Sequence, residues 1–95
     1  MLVKFEFMCL SFQFEIDPQY EVSIFDSKGN WVKEVHCYTK AGARAKARRL
    51  AVYYAKCDLE SFDWFVYEKG DKFIDAGTAL VATKFQVIES PLRHL

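Results

Sequence analysis

Residues 20–57 read YEVSIFDSKGNWVKEVHCYTKAGARAKARRLAVYYAKC, and this stretch decides the fold. Tyr20, Val22 and Ile24 alternate with Glu21 and Ser23, the period-two pattern of a strand with one buried face. Asp26-Ser27-Lys28-Gly29-Asn30 is a turn in which Gly29 and Asn30 tolerate positive φ, so Trp31 to Tyr38 returns as the second strand of a hairpin. Thr39 is a good N-cap. The Ala-, Arg- and Lys-rich run after it is a helix through about Cys57, because these residues lose little side-chain freedom when helical. Ala43, Ala47, Leu50, Ala51, Tyr54 and Cys57 recur at three- and four-residue steps and share a face. Small Ala side chains let that face sit close on a sheet. Gly42 falls in the first turn, where its cost is lower.

On the N-terminal side, residues 2–16 alternate with a change of phase. Val3, Phe5, Phe7 and Cys9 are apolar in one phase; Leu10, Phe12, Phe14 and Ile16 in the other. The slip at Met8-Cys9-Leu10 implies a bulge, a strong twist or two shorter strands. Asp17-Pro18 ends the run. On the C-terminal side, Phe62 to Glu68 is apolar on both faces, as an interior strand is. Lys69-Gly70-Asp71 is a further hairpin turn, with Lys72 to Asp75 pairing back. Ala76-Gly77-Thr78 reads as punctuation, Leu80 to Glu89 as a last strand, and Pro91 as its end, with a loose tail over 91–95. The order is βββαβββ, with fewer strands if the short fifth one merges with its neighbour. With one helix, residues ~40–57, the economical packing is an α+β two-layer sandwich: an antiparallel sheet of about five to six strands with the helix on one face.

A chain of 95 residues is a single domain, 1–95, since two cores would each be too small to stand alone. At 52% hydrophobic and 17% aromatic, with 13 Lys and Arg against 13 Asp and Glu, it is not a disordered polymer. The apolar runs fall short of the ~20 residues of a membrane-crossing helix. Lys4 and Glu6 interrupt the N-terminal run, so it reads as a strand and not a secretory signal. Three cysteines, Cys9, Cys37 and Cys57, are an odd set for a disulfide scaffold. Reduced thiols in a cytoplasm are the simpler expectation.

Charge is divided unevenly. Lys40, Arg44, Lys46, Arg48, Arg49 and Lys56 fall within residues 39–57 with no acid among them, whereas Asp58, Glu60, Asp63, Glu68, Asp71 and Asp75 cluster beyond. Arg44, Arg48, Arg49 and Lys56 lie around the wheel away from Ala43 and Leu50. One reading is a solvated helix whose cations are neutralised by nearby carboxylates. The other is a binding surface for an anionic partner, since the helix lacks the i,i+4 Glu–Lys pairs that relieve like charge. Lys40, Arg44, Lys46, Arg48, Arg49, Tyr53 and Lys56 are the residues of that second reading. The acidic region 58–75 is a further candidate interface, as an imitation of a phosphate backbone.

Chemistry is harder to place. His36 and Cys37 are adjacent on a strand and point to opposite faces, so they do not share a metal. Cys37 and Cys57 read as buried core thiols. His94 sits in the tail. No Gly-rich phosphate loop or GxSxG occurs, so catalytic, metal and cofactor sites are not expected. Of the sixteen rings, Tyr53, Phe65 and Tyr67 are candidates to face outward, where rings fill a partner's pocket or stack on bases.

Two resemblances add to this reading. The hairpin feeding a basic helix, with Lys40-Ala41-Gly42-Ala43-Arg44 at its start, resembles the C-terminal half of a double-stranded RNA-binding domain, although Ala41 stands where that family has a second Lys and its first helix is missing. That resemblance implies Lys40 and Arg44 as phosphate contacts. Tyr20-Glu21-Val22, the Gly29 turn, the Ala41 to Ala55 helix and the closing strands are similar to small phage proteins that disarm host defences, anti-CRISPR proteins among them. That resemblance implies a non-catalytic inhibitor, monomer or homodimer, acting in the host cytoplasm on a larger protein or nucleoprotein complex. Direct nucleic-acid binding by the basic helix face is the alternative expectation, and no membrane partner is expected.

Overall fold

The computed structural model describes residues 2–7, 10–15, 17–83 and 86–92, with the backbone alone described for 2–7, 10–15 and 83. Its elements run β1 (Leu2–Phe7), β2 (Leu10–Glu15), β3 (Tyr20–Phe25), β4 (Trp31–Cys37), α1 (Lys40–Asp58), β5 (Phe62–Glu68), β6 (Lys72–Thr83) and β7 (Gln86–Ser90). An antiparallel five-stranded sheet, ordered β4-β3-β5-β6-β7, carries α1 on one face. The doubly apolar β5 occupies the centre of that sheet. The β3–β4 turn closes because Asp26 accepts hydrogen bonds from the Lys28 and Asn30 amides and from Asn30 Nδ2. Gly29 takes positive φ there and Asn30 does not. Asn30 serves by its donors instead.

Helix α1 starts where Thr39 Oγ1 accepts from the Gly42 amide at 3.0 Å. A Cβ on Gly42 would stand 2.6 Å from that oxygen. Gly42 is therefore what lets the cap close, which offsets its low helix propensity. The helix ends at Leu59, in the left-handed region, whose amide donates to Ala55 O. Four alanines, Ala43, Ala47, Ala51 and Ala55, are its buried residues. They meet Val22 and Ile24 of β3, Phe62, Trp64 and Val66 of β5, and Ala79 of β6 in one core.

Cys57 is exposed, not in that core. A row of every fourth residue advances ~40° per step, so from Ala43 to Ala55 the buried line moves about 120° around the helix. By the last turn Cys57 has been left on the solvent side. Cys37 is half-buried against the core, and burial pushes its thiol up, opposed by the Lys46 ammonium.

Two other expectations are corrected. Ala76-Gly77-Thr78 does not punctuate; β6 runs through it from Lys72 to Thr83. Gly77 lies opposite Trp64 and the indole occupies the space of its missing side chain, while Thr78 Oγ1 donates to the buried Asp63 carboxylate at 2.7 Å. The stretch Leu80 to Glu89 is then divided between β6 and β7, which pair with each other. β7 ends at Ser90, before Pro91.

At the N-terminus the phase change resolves as two shorter strands. β1 and β2 pair antiparallel, Val3 opposite Phe14, Phe5 opposite Phe12 and Phe7 opposite Leu10. This hairpin packs on no other element of the described residues. The radius of gyration, 16.7 Å, accordingly exceeds the ~12 Å of a fully packed chain of this length. Cys9, Ile16 and His94 lie outside the described residues.

The alanine row sets how near helix and sheet approach. Ala47→Leu is expected to lever α1 off β3 and β5 and to lower stability by about 1–3 kcal/mol, read as a lower urea midpoint. An unchanged midpoint would contradict this seating.

Candidate partner-binding surface

Because the buried row runs obliquely, the remaining residues of α1 fall into three further rows. Ala41, Ala45, Arg49, Tyr53 and Cys57 form the crest opposite the sheet, and all are exposed. Lys40, Arg44, Arg48, Val52 and Lys56 form a flank above β5 and β6. Gly42, Lys46, Leu50, Tyr54 and Asp58 form the other flank, exposed at its two ends and half-buried between, with the Tyr54 ring stacked on Phe62. The cations are thus concentrated on one flank, with a single Arg on the crest. Tyr53, 61% exposed, sits edge-on to Tyr54. Its hydroxyl is pushed up by a hydrogen bond with Cys57.

Two members of the flank are engaged within the chain. Arg44 Nε donates to Asp75 Oδ2 at 2.9 Å. Both groups are partly exposed, so the pair contributes ~0.2–1 kcal/mol and mainly fixes a rotamer. The Arg48 guanidinium lies over the Trp64 ring, 5.8 Å from its centroid, a cation–π contact of about 0.5–1 kcal/mol at an exposed site. Trp64 is 4% exposed and is held between Arg48 and Gly77, whose Cβ would stand 2.5 Å from the ring. Beside this stack opens a cleft of ≈ 470 Å³ bounded by Arg48, Trp64, Asp75, Glu89 and Pro91. Lys40, Lys46, Arg49 and Lys56 make no ion pair among the described residues.

The acidic stretch is less continuous in space than in sequence. Asp63 is buried on the far face, Asp75 is bound to Arg44, and Glu60 accepts from the Ser27 hydroxyl across a loop. Asp58 and Asp71 are exposed and Glu60 and Glu68 half-buried, so four acids of 58–75 remain at the surface.

The face of the sheet away from α1 is aromatic. Phe25, Phe65, Tyr67 and Phe73 form a ladder across β3, β5 and β6, with successive centroids 5.5, 6.3 and 6.1 Å apart. Phe65 and Tyr67 therefore do face away from the core, half-buried by one another. Trp31 and Phe73 remain 60% and 56% exposed. A hollow of ≈ 370 Å³ lies among Ser23, Phe25, Asp63, Phe65 and Tyr67.

At the end of that face, Glu21, Glu34 and His36 meet. His36 Nε2 is 3.3 Å from Glu34 Oε2. A hydrogen bond shared with Glu34 holds the Glu21 carboxyl above the ordinary glutamate value, and the same bond holds Glu34 below it. Among the described residues no group of three His, Cys, Asp or Glu side chains is arranged to hold a metal ion, and no helix is long and apolar enough to cross a membrane.

Sequence reasoning missed Trp64, Gly77 and Asp75 as the support of the basic flank. Gly77, a glycine inside a strand, is the signal for the close approach of Trp64. Comparison with protein families, with curated proteins and with solved structures finds no match to this chain.

Gly77→Ala is expected to displace the indole and to cost about 1–3 kcal/mol. In a Trp31→Phe background, which leaves Trp64 alone, the fluorescence maximum moves to longer wavelength; unchanged emission and stability would contradict the stack. For the carboxyl pair, an NMR titration should find Glu21 releasing its proton above pH 4.5 and Glu34 below it. The contribution of Glu21 is present while it is protonated and is lost as pH rises through its raised midpoint. That of Glu34 is lost as pH falls through its lowered one, so the pair is strongest between the two midpoints. Glu21→Gln should abolish the loss on the high-pH side, and a titration with both midpoints at 4.5 would refute the coupling of the two carboxyls.

Proposed function

We propose that the protein is a non-catalytic binding module, of the phage-encoded inhibitor kind, that docks on an anionic surface of a larger protein or nucleoprotein. It does so through the basic flank and crest of α1. The observation that carries this reading is a nineteen-residue helix whose first turn holds no acid and whose Lys40, Arg49 and Lys56 are exposed with no ion pair among the described residues. Left alone, such like charges repel one another and weaken the helix slightly; an acidic partner offsets that. Arg44 and Arg48 are held in fixed positions by Asp75 and Trp64, so they meet a partner with less ordering to undergo. Tyr53 on the crest supplies an amphipathic ring of the type enriched at interface centres. An action in the cytoplasm of an infected cell belongs to the same proposal.

Direct binding of nucleic acid is the second reading, and the row Lys40, Arg44, Arg48, Lys56 favours it as a line of phosphate contacts. The two readings part on salt and on nuclease. A nucleic-acid binder shifts bare duplex and loses affinity steeply with salt, as condensed counterions are released.

Arg44 and Arg48 are poor test sites because each also supports the fold. The triple change Lys40→Glu, Arg49→Glu, Lys56→Glu avoids this. Pulldown from bacterial lysate should recover a protein partner that persists after nuclease treatment, with the triple variant weakened by at least about tenfold, or ~1.4 kcal/mol. A partner retained unchanged by the triple variant contradicts the proposal, and a gel shift of bare duplex that disappears at moderate salt selects the second reading.

A further inference from the structure

The five-stranded sheet ends on β4, whose outer side has no neighbour in the strand order. Two hydrogen bonds fix which main-chain groups point off that edge. The Lys69 amide donates to Gln19 O at 2.7 Å, one step beyond the Tyr20–Glu68 pair of the β3–β5 ladder. Bonded and non-bonded pairs alternate along an antiparallel ladder. Gln19, Glu21 and Ser23 therefore bond toward β5, and Tyr20, Val22 and Ile24 toward β4. The Asp26 amide, donating to Asn30 O across the turn, agrees with this phase. Val35 and Cys37 stand opposite Val22 and Tyr20, so their N–H and C=O groups point inward. Those of Glu34 and His36 point outward, off the sheet. Trp31, Lys33, Glu34 and His36 are exposed, so the strand is open to solvent. The other edge, β7, has five residues and stops before Pro91, features that blunt an edge.

We propose that β4 pairs antiparallel with β4 of a second copy, joining the two sheets across a two-fold axis at Val35. The ladder bonds only where outward-directed residues face one another, which restricts the register. Centred on Glu34, the pairing sets glutamate against glutamate. Centred on Lys33, it sets lysine against lysine. Like charges directly opposite are destabilising. Centred on Val35, Glu34 stands opposite His36 of the second copy, and His36 opposite its Glu34. Each of these pairs exchanges both main-chain bonds. Lys33 then falls opposite Cys37, and two Val35 side chains meet at the axis on the α1 side. The bulge opposite Ile24 and Phe25 bends β4 near Val32 and confines the new ladder to residues 33–37.

The helices allow this arrangement. α1 lies over β3, β5 and β6, so the two helices stand about five strand spacings apart, roughly 24 Å. That exceeds the ~8–10 Å at which helices touch and the ~10 Å over which exposed like charges act. The contact itself is short, roughly 17 Å along five residues. It belongs with the weak, reversible associations that bury less than ~1,200 Å². In strand addition the main-chain bonds supply affinity and the opposed side chains set the register.

The test uses the whole chain between ~20 µM and ~1 mM, a range that resolves weak association. Sedimentation equilibrium should show the mass rising with concentration from 11.1 kDa toward twice that value. Over the same range the Glu34 and His36 amides should gain protection from hydrogen exchange, while those of Val35 and Cys37 are protected throughout. Glu34→Pro deletes an N–H that the chain's own sheet does not use, as edge strands tolerate. It should keep the far-UV spectrum and urea midpoint and lose the association. Charge gives an independent check that leaves the backbone intact. Glu34→Lys should weaken the association by about threefold or more, and Glu34→Lys with His36→Glu should restore it. The inference is overturned by a mass of 11.1 kDa throughout, or by Glu34 and His36 amides that stay unprotected as the mass rises. A folded Glu34→Pro variant that still associates, or a double change that restores nothing, overturns it equally.

Discussion

The outer surface of α1 is oriented by the contact between four alanines and a sheet. Ala43, Ala47, Ala51 and Ala55 are fully buried, and their small side chains let α1 settle onto β3, β5 and β6 with Phe62 and Trp64 filling the space beside it. Following the every-fourth-residue ridge also fixes the angle at which the helix crosses. From that angle follow the position of Arg49 and Tyr53 on the crest, the alignment of Lys40, Arg44, Arg48 and Lys56 above β5 and β6, and the exposure of Cys57. A bulkier residue in the row would change the standing of all of them together.

The support beneath the flank is of a different kind. Trp64 presses on Gly77 and carries Arg48; Asp75, two residues before Gly77, holds Arg44. None of these interactions is large alone. Together they turn two flexible side chains into placed ones, so the flank presents charge at defined points as well as a basic average. This arrangement uses up an acid of the 58–75 cluster, and Asp63 is used in turn by Thr78. The negative cluster of the sequence is thus partly spent within the fold, while much of the positive one is not.

What the sequence made legible was whatever is decided locally. The Asp26–Asn30 turn, the Thr39 cap, the span of the helix and the central place of Phe62–Glu68 rest on neighbours within a few residues, and the structure has them where the pattern put them. What it hid depends on partners distant in the chain. Gly77 reads as a break until Trp64 is seen opposite it. Arg44 reads equally as free or as neutralised by a carboxylate, and the second reading holds for it once Asp75, thirty-one residues on, closes the pair. Cys57 fits the apolar side of a straight wheel and misses the core because the buried row turns. The phase slip near residue 9 was visible, but whether it meant a bulge or a reversal depends on which strands pair. The candidate residues on α1 were legible as charges; their separation into a supported flank and a crest was not.

The most direct test of the central claim, that α1 is seated so as to offer its flank and crest to a partner, is lysine-acetylation footprinting of the protein alone and in complex with the partner it captures. Lys40 and Lys56 should become protected on complex formation while Lys28 and Lys69, in the turns at the two ends of the sheet, keep their reactivity. Protection of Lys28 and Lys69 with Lys40 and Lys56 unchanged would contradict the account.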